Sequence, residues 1–175
     1  WYRKQFIISR NLKGKHITLH FDGAMYNTKI WLNGVLIGHR PNGYIGFSVD
    51  LSKHLKYGSE NLIAVQLNPE DLSSRWYPGA GIYRNTWLEI NNPIHVAKWG
   101  TFITTPKITK DKATINILTE IENIGEKDSP ITIQTTIFNK KGEPLTSVSE
   151  NVFSTKSDIL IVNQNLEVLN PELWN

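Results

Sequence analysis

The sequence predicts an all-β protein made of two β-sandwich domains in tandem. Three observations carry that expectation. Nearly every periodic stretch alternates apolar and polar at period two, the strand signature. Clusters of Gly, Pro, Asn, Asp and Lys interrupt those stretches at short intervals. The composition also changes near residue 92. All five Arg, all six Tyr and four of the six Trp lie in residues 1–92, which carry a net charge of +5, whereas residues 93–175 carry −2 and are rich in Thr, Ile, Val, Asn and Lys.

The first half is read in order. The stretch RKQFIIS (3–9) is a strand, RNLKGK (10–15) a turn, and HITLHFDG (16–23) an alternating strand. In MYNTKIWLNGVLIGHR (25–40), Asn33-Gly34 sits between two apolar runs, a strong signal for a two-residue hairpin. PNGY (41–44) turns into the strand IGFSVDLS (45–52), and KYGSE (56–60) turns into NLIAVQLN (61–68). One helical turn is expected at DLSKHLKYG (50–58), with Asp50 or Ser52 as its cap and Gly58 as its stop. YRNTWLEI (83–90) is the last strand of this half.

INNPIHV (90–96) reads as the junction, because proline lacks the donor that a central ladder needs. Beyond it HVAKWGTFITTPKI (95–108), ATINILTEIEN (113–123), SPITIQTTIFN (129–139), LTSVSENVF (145–153) and DILIVNQNLEV (158–168) are strands. The turns TKDK, IGEKD, NKKGEP and STKS separate them, the spacing of a small β-sandwich. The expected boundaries are 1–92 and 93–170, with LNPELWN (169–175) leaving as a Pro-broken linker that shows an apolar Leu173-Trp174 pair.

Composition excludes several function classes. Without cysteine there are no disulfides, thiolate metal sites or cysteine nucleophile. Cytosolic and periplasmic proteins can both lack it, so no compartment follows. A net charge of +3 is too small to argue for nucleic acid. No apolar run approaches the roughly 20 residues of a membrane-spanning helix. The opening WYRKQFIISR alternates like a strand, so no leader peptide is expected there.

Catalytic and metal chemistry find no foothold. Of His16, His20, His39, His54 and His95, only the first two are close in sequence, and four residues along one strand face set them about 13 Å apart. Each is read as a solvated or hydrogen-bonded histidine. SSRW carries no G-x-S-x-G elbow. GAGIYR (79–84) lacks the third glycine and following helix of a dinucleotide site. The acids of the first half, Asp22, Asp50, Glu60, Glu70, Asp71 and Glu89, do not read as the flanking pair a glycosidase needs. Asp22 and Asp50 read as turn caps.

What remains is SSRWYPGAGIYRN (73–85). Aromatic faces stack on the C–H face of a pyranose, and Arg, Asp and Asn bond its hydroxyls. Trp31, Trp76, Tyr77, Tyr83, Arg75, Arg84 and Asn85 offer such groups, but Trp and Tyr also fill sandwich cores. The residues alone leave both a structural corner and a ligand or partner contact open.

WYRKQF (1–6), FDGAMYNTKIWLNGVLIGHRPNGYIGFSVDLS (21–52) and SSRWYPGAGIYRNTWLEI (73–90) together closely resemble glycoside hydrolase family 2, and most of all its β-galactosidase branch. The resemblance implies a galactose-binding-like jelly roll over 1–92, usually begun upstream of Trp1. It implies an immunoglobulin-like sandwich over 93–170, and a linker at 171–175 toward a (β/α)8 barrel. Such a barrel needs about 250 residues and carries its site on its own loops. In this family both catalytic glutamates of the retaining mechanism lie there. The expectation is therefore an enzyme's accessory portion with no catalytic residue, no metal and no cofactor of its own. Its expected partners are a β-galactoside-like carbohydrate and the parent chain's barrel. Arg75 and Trp76, with Asp71, are the expected contacts to sugar or barrel. Pro78, Gly79, Gly81, Tyr83 and Arg84 are expected to shape the corner, the glycines through positive φ or close backbone approach. Two other readings compete: an autonomous carbohydrate-binding module, and a protein-interaction sandwich.

Overall fold

The structure, a computed structural model, describes residues 1–68 and 79–173. These residues form β-strands with no α-helix among them. The chain divides into two compact units, Trp1–Asn92 and Pro93–Asn175.

The first unit is a jelly-roll sandwich. One antiparallel sheet has the order β1 (Tyr2–Ile7), β7 (Glu60–Gln66), β4 (Thr28–Leu32) and β5 (Val35–Arg40). A second sheet places β2 (His16–Phe21) between β6 (Phe47–Asp50) and β9 (Thr86–Asn91). A two-residue ladder joins β3 (Ala24–Met25) to β8 (Gly81–Ile82). Period-two alternation sends Ile30 and Leu32 of β4, Ile63 and Val65 of β7, Ile17, Leu19 and Phe21 of β2 and Val49 of β6 into one core. Phe21 and Phe47, paired across β2 and β6, stack with ring centroids 5.0 Å apart.

Asn33-Gly34 forms the expected hairpin. Leu32 pairs with Val35, and φ is 51° at Asn33 and 86° at Gly34, the left-handed pair that a twisted hairpin needs. Where the sheets approach, Gly38 of β5 leaves room for Val49 of β6, since a Cβ there would lie 2.4 Å from Val49 Cγ1.

The short helix expected at 50–58 does not form. The Asp50 carboxylate accepts the Ser52 N–H at 2.8 Å, and the chain then closes one turn, His54 N–H to Leu51 C=O at 3.0 Å. The Asn61 side chain takes both backbone groups of Lys56, its N–H at 2.8 Å and its C=O at 2.9 Å, so neither continues a helix. The helical geometry falls instead on Arg10–Leu12, a single 3-10 turn where a plain turn was expected.

The second unit is an immunoglobulin-like sandwich. β10 (Ile94–Ile108), β11 (Lys112–Asn123) and β14 (Asp158–Leu169) form one antiparallel sheet. β12 (Ser129–Phe138) and β13 (Pro144–Ser154) form the other. Its core is mostly aliphatic, with Ile117, Ile121, Val162, Leu166 and Val168 buried. Buried Gln164 of β14 ties the sheets together by accepting from Thr135 Oγ1 at 2.6 Å and donating to the Ile133 carbonyl at 3.3 Å. β10 is bulged between Val96 and Thr101, where Trp99 takes φ of 60° and is 88% exposed.

Candidate functional site

Asp71, Arg75, Trp76 and Pro78 lie outside the described residues. Gly79, Gly81, Tyr83 and Arg84 are among the described residues. Gly81 pairs with Met25, and a Cβ on Gly81 would stand 3.4 Å from the Tyr2 hydroxyl. A Cβ on Gly79 would meet nothing within 4 Å. Tyr83 donates from its hydroxyl to the Gly43 carbonyl at 2.8 Å, and its backbone N–H reaches the Gly23 carbonyl at 3.3 Å. The Tyr83 ring lies on Gly23 so closely that a Cβ there would meet it at 2.5 Å. Arg84 sits exposed at the bend that follows.

Immediately beyond, β2 and β9 bring together a polar group that sequence reasoning did not assemble. The Trp87 indole N–H donates to Asp22 Oδ2 at 2.9 Å. Asp22 Oδ1 lies 3.2 Å from His20 Nε2, and His20 Nδ1 shares a 2.9 Å hydrogen bond with Ser48 Oγ. The strand register explains the grouping. His20 is paired with Ser48 on one side and Trp87 on the other, so all three project from the same, outer face of the sheet. Asp22 follows just past the strand end, and its backbone N–H is held by the Asn85 carbonyl at 2.9 Å. Asp22 is thus more than a turn cap.

Chemically, Ser48, His20 and Asp22 are not a nucleophilic triad. In such a triad the base carries its nucleophile on one ring nitrogen within reach of a substrate. Here the ring is 6% exposed, covered by its neighbours. The group is a positioning network that ends on a half-exposed indole. A second feature of this unit is a cleft of about 460 Å³ between β1 and β9, floored by Leu19, Phe21, Ile63 and Val65. Its apolar floor offers few groups to orient a polar ligand.

The fold defines a class: a jelly-roll sandwich followed by an immunoglobulin-like sandwich. Residues 1–76 match the glycosyl hydrolase 2 galactose-binding domain-like family model, and residues 94–175 match that of glycosyl hydrolases family 2. The chain belongs to glycoside hydrolase family 2.

It is 36% identical to the β-galactosidase BoGH2A of Bacteroides ovatus, a match that spans all of this chain and 21% of that protein. It is 33% identical to a β-galactosidase of Thermoanaerobacter pseudethanolicus, again over its whole length and 24% of that protein. A β-glucuronidase of Formosa agariphila is 30% identical over 99% of this chain and 20% of its own. Among solved structures, a family 2 member from Bacteroides cellulosilyticus superposes with a TM-score of 0.94 at 38% identity, covering 99% of this chain and 24% of the other. The chain spans about a fifth of the length of the curated relatives it matches. The stretch matched is their amino-terminal, non-catalytic portion.

Proposed function

We propose that this chain is the accessory portion of a β-galactosidase-like O-glycosyl hydrolase of the retaining type, whose bond cleavage is performed by a barrel elsewhere in the parent polypeptide. The observation that carries the reading is the match to β-galactosidases along the whole of this chain and only about a fifth of theirs. Residues 1–92 support the barrel and the edge of its sugar pocket, residues 93–170 are the sandwich that follows in the chain, and residues 171–175 lead toward the barrel. Asp71, Arg75 and Trp76 contact the barrel or the edge of its sugar pocket. A guanidinium at that edge can form a two-pronged pair with a carboxylate. Pro78, Gly79, Gly81, Tyr83 and Arg84 shape the corner that presents them. The partners are then a β-galactoside and the barrel.

The test compares the 175-residue chain with its full-length parent on chromogenic β-galactosides and β-glucuronides. The parent cleaves the galactoside, and the chain alone cleaves neither. Arg75→Ala lowers the parent's activity without changing the thermal unfolding of the isolated chain. Turnover by the chain alone overturns the reading.

A further inference from the structure

The sequence holds two Asn-Gly steps, Asn33-Gly34 and Asn42-Gly43, and the fold treats them oppositely. An asparagine followed by glycine can close on itself, because no side chain shields the next backbone nitrogen and the glycine backbone turns freely. Both glycines are imposed by the fold. Gly34 has φ of 86° in its hairpin, and a Cβ on Gly43 would lie 2.5 Å from Tyr26 Cβ and from Met25 Sδ.

The two carboxamides differ in what holds them. Asn33 Nδ2 donates to the His54 carbonyl and to Asn61 Oδ1, both at 2.9 Å, and Asn33 Oδ1 accepts the Leu62 N–H at 3.0 Å. Its nitrogen, the group that would leave, is tied by both hydrogens. Asn42 is exposed, and its Nδ2 makes no hydrogen bond among the described residues. Its Oδ1 accepts the N–H groups of Tyr44 at 2.8 Å and Ile45 at 3.2 Å. Two backbone donors on a carbonyl oxygen also hold the negative charge that the oxygen takes when a nucleophile adds.

We propose that Asn42 is a site of spontaneous deamidation in the folded chain and that Asn33 is spared. The Gly43 nitrogen bonds to Asn42 Cγ, its proton leaves with the side-chain nitrogen as ammonia, and a succinimide ring remains. Water opens either carbonyl of that ring, giving an aspartate or an isoaspartate at position 42. Isoaspartate adds a carbon to the main chain at a place pinned on both sides. The Pro41 carbonyl accepts the Asn27 N–H at 3.0 Å, and the Gly43 carbonyl accepts the Tyr83 hydroxyl at 2.8 Å. One of these bonds must open, so the modification loosens the corner that Tyr83 holds.

The chain is aged in mild alkali, once folded and once in urea, and fragmentation of its peptides locates the gain of a single mass unit. In urea both asparagines react at similar rates. In the folded chain Asn42 reacts, and Asn33 reacts about 10-fold more slowly or less, because its hydrogen bonds must break first. Asn42→Asp carries the new charge without the added carbon and keeps the thermal midpoint. The isoaspartate fraction, separated by chromatography, unfolds at a lower temperature. If Asn42 survives in the folded chain but reacts in urea, the bonds to its oxygen protect it and the inference falls. It falls equally if Asn33 reacts as fast as Asn42 in the folded chain. Equal midpoints for the isoaspartate fraction and Asn42→Asp overturn the loosening of the corner.

Discussion

Asn33 and Asn61 are joined amide to amide, Asn33 Nδ2 donating to Asn61 Oδ1 at 2.9 Å. Asn33 occupies the left-handed position of the β4–β5 hairpin, and its own oxygen accepts the Leu62 N–H at 3.0 Å. Asn61 is fully buried at the start of β7, and its amide makes four hydrogen bonds, to Asn33, to both backbone groups of Lys56 and to the Ser59 carbonyl at 3.1 Å. One side chain therefore connects the hairpin, the 51–59 loop and the central strand of the sheet.

Removing it should be costly. Asn61→Ala removes the four hydrogen bonds of that amide, two of them to the backbone of Lys56, at about 1 kcal/mol for each bond lost. The expected loss is about 3 kcal/mol, read as a lowered denaturant midpoint with unchanged slope. Asn61→Asp should be no better, since it supplies acceptors where two donors are needed.

Gly38 and Val49 give a two-sided test of sheet packing. Gly38→Ala drives a methyl into Val49 Cγ1, and overpacking of this kind costs about 1–3 kcal/mol. Val49→Ala opens a void and also destabilises. The double variant should be more stable than the sum of the two losses predicts, a positive coupling that a thermal-unfolding cycle measures.

Trp99 holds a left-handed backbone at the bulge of β10, a conformation that costs an ordinary residue about 1–2 kcal/mol. Asparagine tolerates that region better. Because the ring is almost entirely exposed, Trp99→Asn gives up little burial in this chain. The expected outcome is an unchanged or slightly raised midpoint, by up to about 1 kcal/mol. A clear drop would mean that the indole packs more tightly than its exposure indicates.

Tyr57 makes stability fall in strong alkali. Burial of its phenol, and next the charge of Asp50, raise its pKa above the ordinary value of 10.0. The folded value then exceeds the unfolded one. The contribution is fully present below pH 10.0 and is lost as pH rises through the higher folded value. Tyr57→Phe should flatten the stability profile above that pH, seen by titrating the denaturant midpoint.

The strands were legible because each carries its own evidence. β2, β7 and β14 alternate plainly, and Asn33-Gly34 names its turn. The β3–β8 ladder was not legible, since two residues have no period. The 50–58 segment misled for a different reason. Its cap signal at Asp50 was correct, but what ends the turn is Asn61, which reaches back from another strand. The Trp87–Asp22 contact joins residues 65 positions apart and depends on strand register, which no local pattern encodes. Tyr83 could be placed at the corner from its neighbours, yet its seat on Gly23 appears only in three dimensions.

The pairing of β1 sets a schedule for synthesis. Tyr2 meets Val65 and Ile7 meets Glu60, so β1 is made more than fifty residues ahead of its partner β7. At about 5–20 residues per second, the ribosome delivers that neighbour roughly 3–12 s later. For that interval Trp1, Tyr2 and Phe6 travel with an unfilled ladder, at the stage when a nascent chain is most open to a holding chaperone or to pairing with another copy. The β4–β5 hairpin, closed by two residues, is complete long before. A chain slowed between residues 40 and 60 would prolong that exposure without altering a single contact of the finished sandwich.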